Sequence, residues 1–100
     1  MSRKLIVTKE AEADILNGYL SYEEKQPGIG LRFMAEIEQA FDRILPNPFL
    51  YQEVDMDIRR AVTHTFPYLV FYTFDEQTVH ILAVIQGSQD PAYINERLGT

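Results

Sequence analysis

The chain has 100 residues, 46% of them hydrophobic, 12% aromatic and 24% charged, which suits one modest core spanning residues 1–100 and excludes a long multidomain enzyme. Fifteen Asp and Glu against nine Lys and Arg leave a net charge of −6, which opposes unassisted binding to a nucleic-acid polyanion. The lack of cysteine excludes a disulfide framework, a thiol nucleophile and a thiolate metal site, so a cytoplasmic location is expected.

Met1-Ser2-Arg3-Lys4 is a basic head, but only Leu5-Ile6-Val7 follows it, far short of a targeting core, and neither secretion nor membrane insertion is expected. Lys4–Val7 reads as a short strand closed by Thr8, a helix N-cap residue. From Lys9 to Glu24 the residues Ala11, Ile15, Leu16, Tyr19, Leu20 and Tyr22 recur at three- and four-residue steps, the spacing of an amphipathic helix, with Gly18 as a weak point. Lys25-Gln26-Pro27-Gly28 interrupts that spacing. A second helix runs from Gly28 or Ile29 to Leu45, with Phe33, Met34, Ile37, Phe41, Ile44 and Leu45 on its apolar face, and stops at Pro46-Asn47-Pro48. Two such helices on a short link pack as an antiparallel hairpin whose remaining apolar surface needs another layer.

That layer comes from the second half. After an acidic loop, Tyr51–Asp57, the segments Ile58–Phe66, Tyr68–Phe74 and Thr78–Gln86 are rich in β-branched and aromatic residues and read as consecutive antiparallel strands. Pro91 then opens a final helix over Ala92–Leu98, ended by Gly99. The expected fold is α+β, in the order β-α-α-β-β-β-α, with an antiparallel sheet and the helical hairpin packed on one face. Eleven of the acids and only three of the bases lie between Glu10 and Asp57. A face that meets an anionic partner is therefore expected from the stretch beginning at Arg59, together with Arg3, Lys4 and Lys9.

The order of elements resembles the ParE/RelE superfamily of type II toxin–antitoxin toxins, also described as plasmid stabilisation proteins. The likeness lies in the opening strand with Ala11, Asp14 and Ile15, the Tyr19 and Tyr22 aromatics, Pro27-Gly28-Ile29-Gly30 leading into Phe33 and Glu36-Ile37, and the exit Leu45-Pro46-Asn47-Pro48. It continues through Ile58-Arg59-Arg60, Phe66-Pro67-Tyr68 with Val70-Phe71-Tyr72, and Asp90-Pro91 before a helix carrying Arg97. The resemblance implies one of two activities, cleavage of ribosome-bound messenger RNA as in RelE-type members or poisoning of DNA gyrase as in ParE-type members. It also implies neutralisation by a cognate antitoxin that wraps the toxin.

RNA cleavage through the 2′-hydroxyl needs proton carriers and cations. Where the family often ends its last strand with His, two residues, then Arg, this chain reads Gln86-Gly87-Ser88-Gln89-Asp90-Pro91. Glutamine neither exchanges a proton near neutral pH nor carries a positive charge. The ParE-like alternative is therefore favoured, with no cofactor, no catalytic residue assigned, and Arg59, Arg60, Gln86, Gln89, Tyr93 and Arg97 as candidate target-binding residues. The RelE-like ribonuclease and a non-toxic module that only binds an antitoxin stay open.

Plainer readings stand beside these. Arg59 and Arg60 alternate along a strand, so one of them is expected to pair with an acid such as Asp55 or Asp57. His64 and His80 lie on strands and could pair across the sheet, but they lack a third metal ligand. Glu53, Asp55 and Asp57 read as a solvated acidic edge, Gly28-Ile29-Gly30 as a tight turn rather than an anion site, and Ser88 lacks a nucleophile-elbow pattern. No metal is expected.

Overall fold

A computed structural model describes residues 2–99. The elements are β1 (Lys4–Val7), α1 (Lys9–Lys25), α2 (Ile29–Ile44), β2 (Glu53–Asp55), β3 (Ile58–Val62), β4 (Tyr68–Phe74), β5 (Thr78–Gln86) and α3 (Pro91–Leu98). The strands form one sheet in the order β1-β5-β4-β3-β2. The α+β architecture, with the helical hairpin on one face, is as expected from the sequence.

Two features of the sheet differ from that expectation. It is mixed rather than antiparallel, because β1 runs parallel to β5, pairing Lys4 with Thr78 and Val7 with Ile81. The whole hairpin and meander separate these two strands in sequence, and such a long crossover is what a parallel pair requires. The second difference is an extra strand: the acidic loop contains β2, which pairs Glu53 with Arg59 across a hairpin whose turn residue Asp57 has a φ of 60°. Asp tolerates that left-handed conformation. Asp55 accepts from the Met56 N–H and Glu53 from the Asp57 N–H, so two of the three edge acids tie down the turn.

The strand expected to reach Phe66 stops at Val62 because Thr63 binds locally. Its hydroxyl accepts from the Tyr68 N–H at 3.0 Å and donates to the Phe66 carbonyl, and Glu36 of α2 accepts from the Thr65 and Phe66 N–H groups. Side-chain bonds of this kind divert the backbone from a ladder. His64 consequently sits on a bend outside the strands, and His80 faces Thr73 in the sheet, so the two histidines do not pair.

The main core lies between the hairpin and the sheet, where Phe33, Ile37, Ala40 and Ile44 of α2 meet Ala61, Val70, Tyr72, Val79 and Ile81. On α1 the inward residues are Ala11, Ile15, Tyr19 and Tyr22. Leu16 and Leu20, expected on the same stripe, remain 55% and 52% exposed, because a helix turn places them beside the stripe rather than under it. Gly18 has a packing role: a Cβ there would lie 2.7 Å from Cζ of Phe33, so glycine lets that ring approach the helix backbone. A smaller cluster on the opposite sheet face joins Phe71, Ala83 and Ile85 to Ile94 and Leu98 of α3. The terminal helix thus covers the face that the hairpin leaves open.

Candidate functional site

The site is built where β1 ends and β5 continues. Thr8 caps α1, accepting from the Ala11 N–H at 3.3 Å, while its own hydroxyl donates to the Ile81 carbonyl at 2.8 Å. This anchors the helix start on β5 and brings Asp14, farther along α1, to the strand edge that β1 no longer covers. Asp14 Oδ2 accepts from the Val84 N–H at 3.0 Å. From α3, the Arg97 fork closes on the same carboxylate at 2.8 and 2.7 Å, and its Nη1 also donates to the Tyr93 hydroxyl at 2.9 Å. Asp90 and Pro91 set the start of α3, with the Asp90 carboxylate accepting from the Ala92 N–H at 2.8 Å.

Around this pair lies an open cleft of about 190 Å³ lined by Asn17, Ser21, Tyr68, Gln86, Gln89 and Tyr93, among others. Four of the six candidate residues, Gln86, Gln89, Tyr93 and Arg97, therefore meet in one place. Tyr68 belongs with them; the sequence places it in a strand and in the Phe66-Pro67-Tyr68 likeness, but not among the candidate site residues. Burial, and after it the neighbouring Tyr22, pushes its hydroxyl up to about 12, so at neutral pH it is a phenol that donates hydrogen bonds. The hydrogen bonds to Asp14 raise the Arg97 pKa further above its already high value. Neither group is placed to exchange a proton near neutrality.

The remaining two candidates lie elsewhere. Arg59 points to the hairpin side, donating to the Tyr51 carbonyl at 2.7 Å and the Phe49 carbonyl at 3.4 Å. Its guanidinium lies 5.6 Å from the Phe49 ring centroid and 5.7 Å from that of Phe74. The acid it meets is Glu53, at 3.8 Å, rather than Asp55 or Asp57. These contacts make Arg59 a brace for the segment entering β2. Arg60 points to the other face and lines a second groove, of about 340 Å³, with Val54, Phe71, Gln89 and Ile94.

The Gly28-Ile29-Gly30 turn does cradle an anion, but one of the chain's own: Glu23 Oε1 accepts from the Gly28 and Gly30 N–H groups at 2.8 Å each. Among the described residues, no three His, Asp or Glu side chains gather as a metal site, and no helix is long and apolar enough to cross a membrane.

A family model described as the ParE toxin of the type II toxin–antitoxin system, parDE, matches residues 5–91. No curated protein matches the sequence. Among solved structures, one of the chromosomal ParDE toxin–antitoxin system from P. aeruginosa is similar, with a TM-score of 0.76 and 16% identity over 85% of this chain and 96% of that one. At that identity the likeness shows a shared fold, while the family match runs from β1 to the first residue of α3. The chain belongs to the ParE toxin family of type II toxin–antitoxin systems.

Proposed function

We infer that the protein is the toxin of such a module, that it acts by contact on DNA gyrase rather than by cutting RNA, and that a cognate antitoxin silences it. The observation that carries this reading is the chemistry of the cleft. Gln86 and Gln89 stand where the family often carries ionisable residues, Arg97 and Asp14 neutralise each other, and Tyr68 holds its proton. Cleavage through a 2′-hydroxyl calls for a proton acceptor and an uncommitted cation. What the cleft offers is a set of amide and hydroxyl groups suited to binding a protein surface. The gyrase target rests on the family resemblance.

The antitoxin is supported by family membership and by the fold shared with the P. aeruginosa ParDE toxin–antitoxin system. Leu16 and Leu20, one turn apart and more than half exposed on α1, supply apolar surface of the sort a wrapping partner covers. Expression in bacteria lacking the antitoxin tests the reading. The expected outcome is growth arrest with intact transcripts, relieved by co-expressing the adjacent gene. Unimpaired growth, or transcripts cut within codons, would contradict it.

A further inference from the structure

We propose that the open edge of β3 is a docking site for an extended, acidic segment of a protein partner. The site is a cleft of about 620 Å³ between α2 and β3, lined by Arg43, Tyr51, Gln52, Arg60, Val62 and His64. It stands apart in a chain of net charge −6 because two arginines and a histidine converge there and, among the described residues, no carboxylate lines it. The acids around it are engaged elsewhere: Glu53 with Arg59, Asp55 with the Met56 N–H, and Glu36 with the Thr65 and Phe66 N–H groups. Arg43 donates from its Nε to the Tyr51 hydroxyl at 3.0 Å, and both residues line the cleft.

The backbone points the same way. β2 ends its pairing with β3 at the bond from the Arg60 N–H to the Gln52 carbonyl. Across the sheet, Ala61 and Thr63 are turned toward β4, with Ala61 opposite Val70 and the Thr63 N–H donating to Tyr68. The alternation of an antiparallel ladder therefore directs the Val62 N–H and carbonyl outward, past the end of β2. An incoming strand would extend the line of β2, bond to Val62, and set alternate side chains beside Arg60 and His64. Val62 itself is 44% exposed, so apolar residues of the incoming segment have a surface to cover. The surrounding net negative charge disfavours a nucleic-acid strand as the occupant, because such a ligand would bring its whole phosphate backbone close to those acids.

The test is independent of toxicity. A labelled nine-residue peptide alternating Val and Glu is titrated into the whole protein by fluorescence anisotropy, beside a Val and Lys peptide of equal length. The Glu peptide is expected to bind saturably, and the Lys peptide at least about tenfold more weakly. Arg43→Gln with Arg60→Gln should weaken the Glu peptide about tenfold with the thermal midpoint little changed. Val62→Pro removes the outward N–H and alters the exposed apolar side chain, a change edge strands tolerate, and should weaken it as well. Should that variant fail to fold, the arginine pair decides. Equal binding of both peptides, unchanged affinity in the double variant, or displacement of the Glu peptide by an oligouridylate would each overturn the proposal.

Discussion

Asp14 and Arg97 lie 83 positions apart in sequence and close as a fork on a carboxylate, with Nη1 2.8 Å from Oδ1 and Nη2 2.7 Å from Oδ2. Their side chains are 13% and 19% exposed, and α3 itself has no fully buried residue. The pair, with the Ile94 and Leu98 contacts, is what holds the terminal helix beside the cleft.

Removing the carboxylate charge should therefore loosen α3. In Asp14→Asn the Val84 N–H keeps an acceptor, but Arg97 is left partly buried without its counter-ion, and a loss of about 1–3 kcal/mol is expected by urea unfolding. Arg97→Lys, which keeps the charge and loses the planar fork, should cost less than Asp14→Asn. Unchanged stability in both variants would show that the helix is held by its apolar contacts alone.

Gly18→Ala sets helix propensity against packing. The substitution gains up to about 1 kcal/mol of propensity in an exposed helix. Here the new Cβ would lie 2.7 Å from Phe33, a ring that is fully buried and packed against Tyr68 at a centroid distance of 4.8 Å. Overpacking of about 1–3 kcal/mol should win, lowering the thermal midpoint. Adding Phe33→Leu should recover part of that loss. A midpoint raised by Gly18→Ala would contradict this account of α1.

Arg59 and Arg60, adjacent in sequence, should separate in mutagenesis. Arg59→Ala removes two carbonyl contacts and the stacking on Phe49 and Phe74, with an expected cost of about 1–2 kcal/mol and faster hydrogen exchange in residues 49–55. Arg60→Ala touches none of these contacts and should leave stability unchanged. Equal effects of the two substitutions on exchange would refute the assignment.

Alkaline pH offers a separate check. The Tyr68 hydroxyl is pushed up to about 12 in the folded protein, against roughly 10 for an exposed tyrosine. Its contribution is fully present below the unfolded value and is lost as pH rises through the folded one, so stability should fall between about pH 10 and 12. Tyr68→Phe should make that fall shallower. The same slope in wild type and variant would show that Tyr68 is not responsible.

The fold was legible where pattern and length agree. The apolar spacing from Phe33 to Ile44 marks α2, and the β-branched runs mark β4 and β5 with the ends observed. β2 escaped because it has three residues, two of them acidic and all exposed, so neither propensity nor alternation marks it. The parallel pairing of β1 was hidden because strand direction is set by topology rather than by the four residues of the strand. At the site, Gln86 and Gln89 were readable as departures from a family pattern, and Tyr93 and Arg97 by their four-residue spacing. The partner of Arg97 was not, since nothing in the spacing of α1 distinguishes Asp14 from its exposed acidic neighbours. Tyr68 escaped for a similar reason: its perturbed hydroxyl comes from burial among α1 and α2 aromatics that the strand sequence does not contain.

Action by contact on gyrase, without RNA cleavage, is tested most directly by a supercoiling reaction with purified gyrase and relaxed plasmid, run beside a translating extract that reports transcript integrity. The predicted result is a loss of supercoiling that depends on the amount of toxin, with transcripts full length. Normal supercoiling together with transcripts cleaved on the ribosome would contradict it.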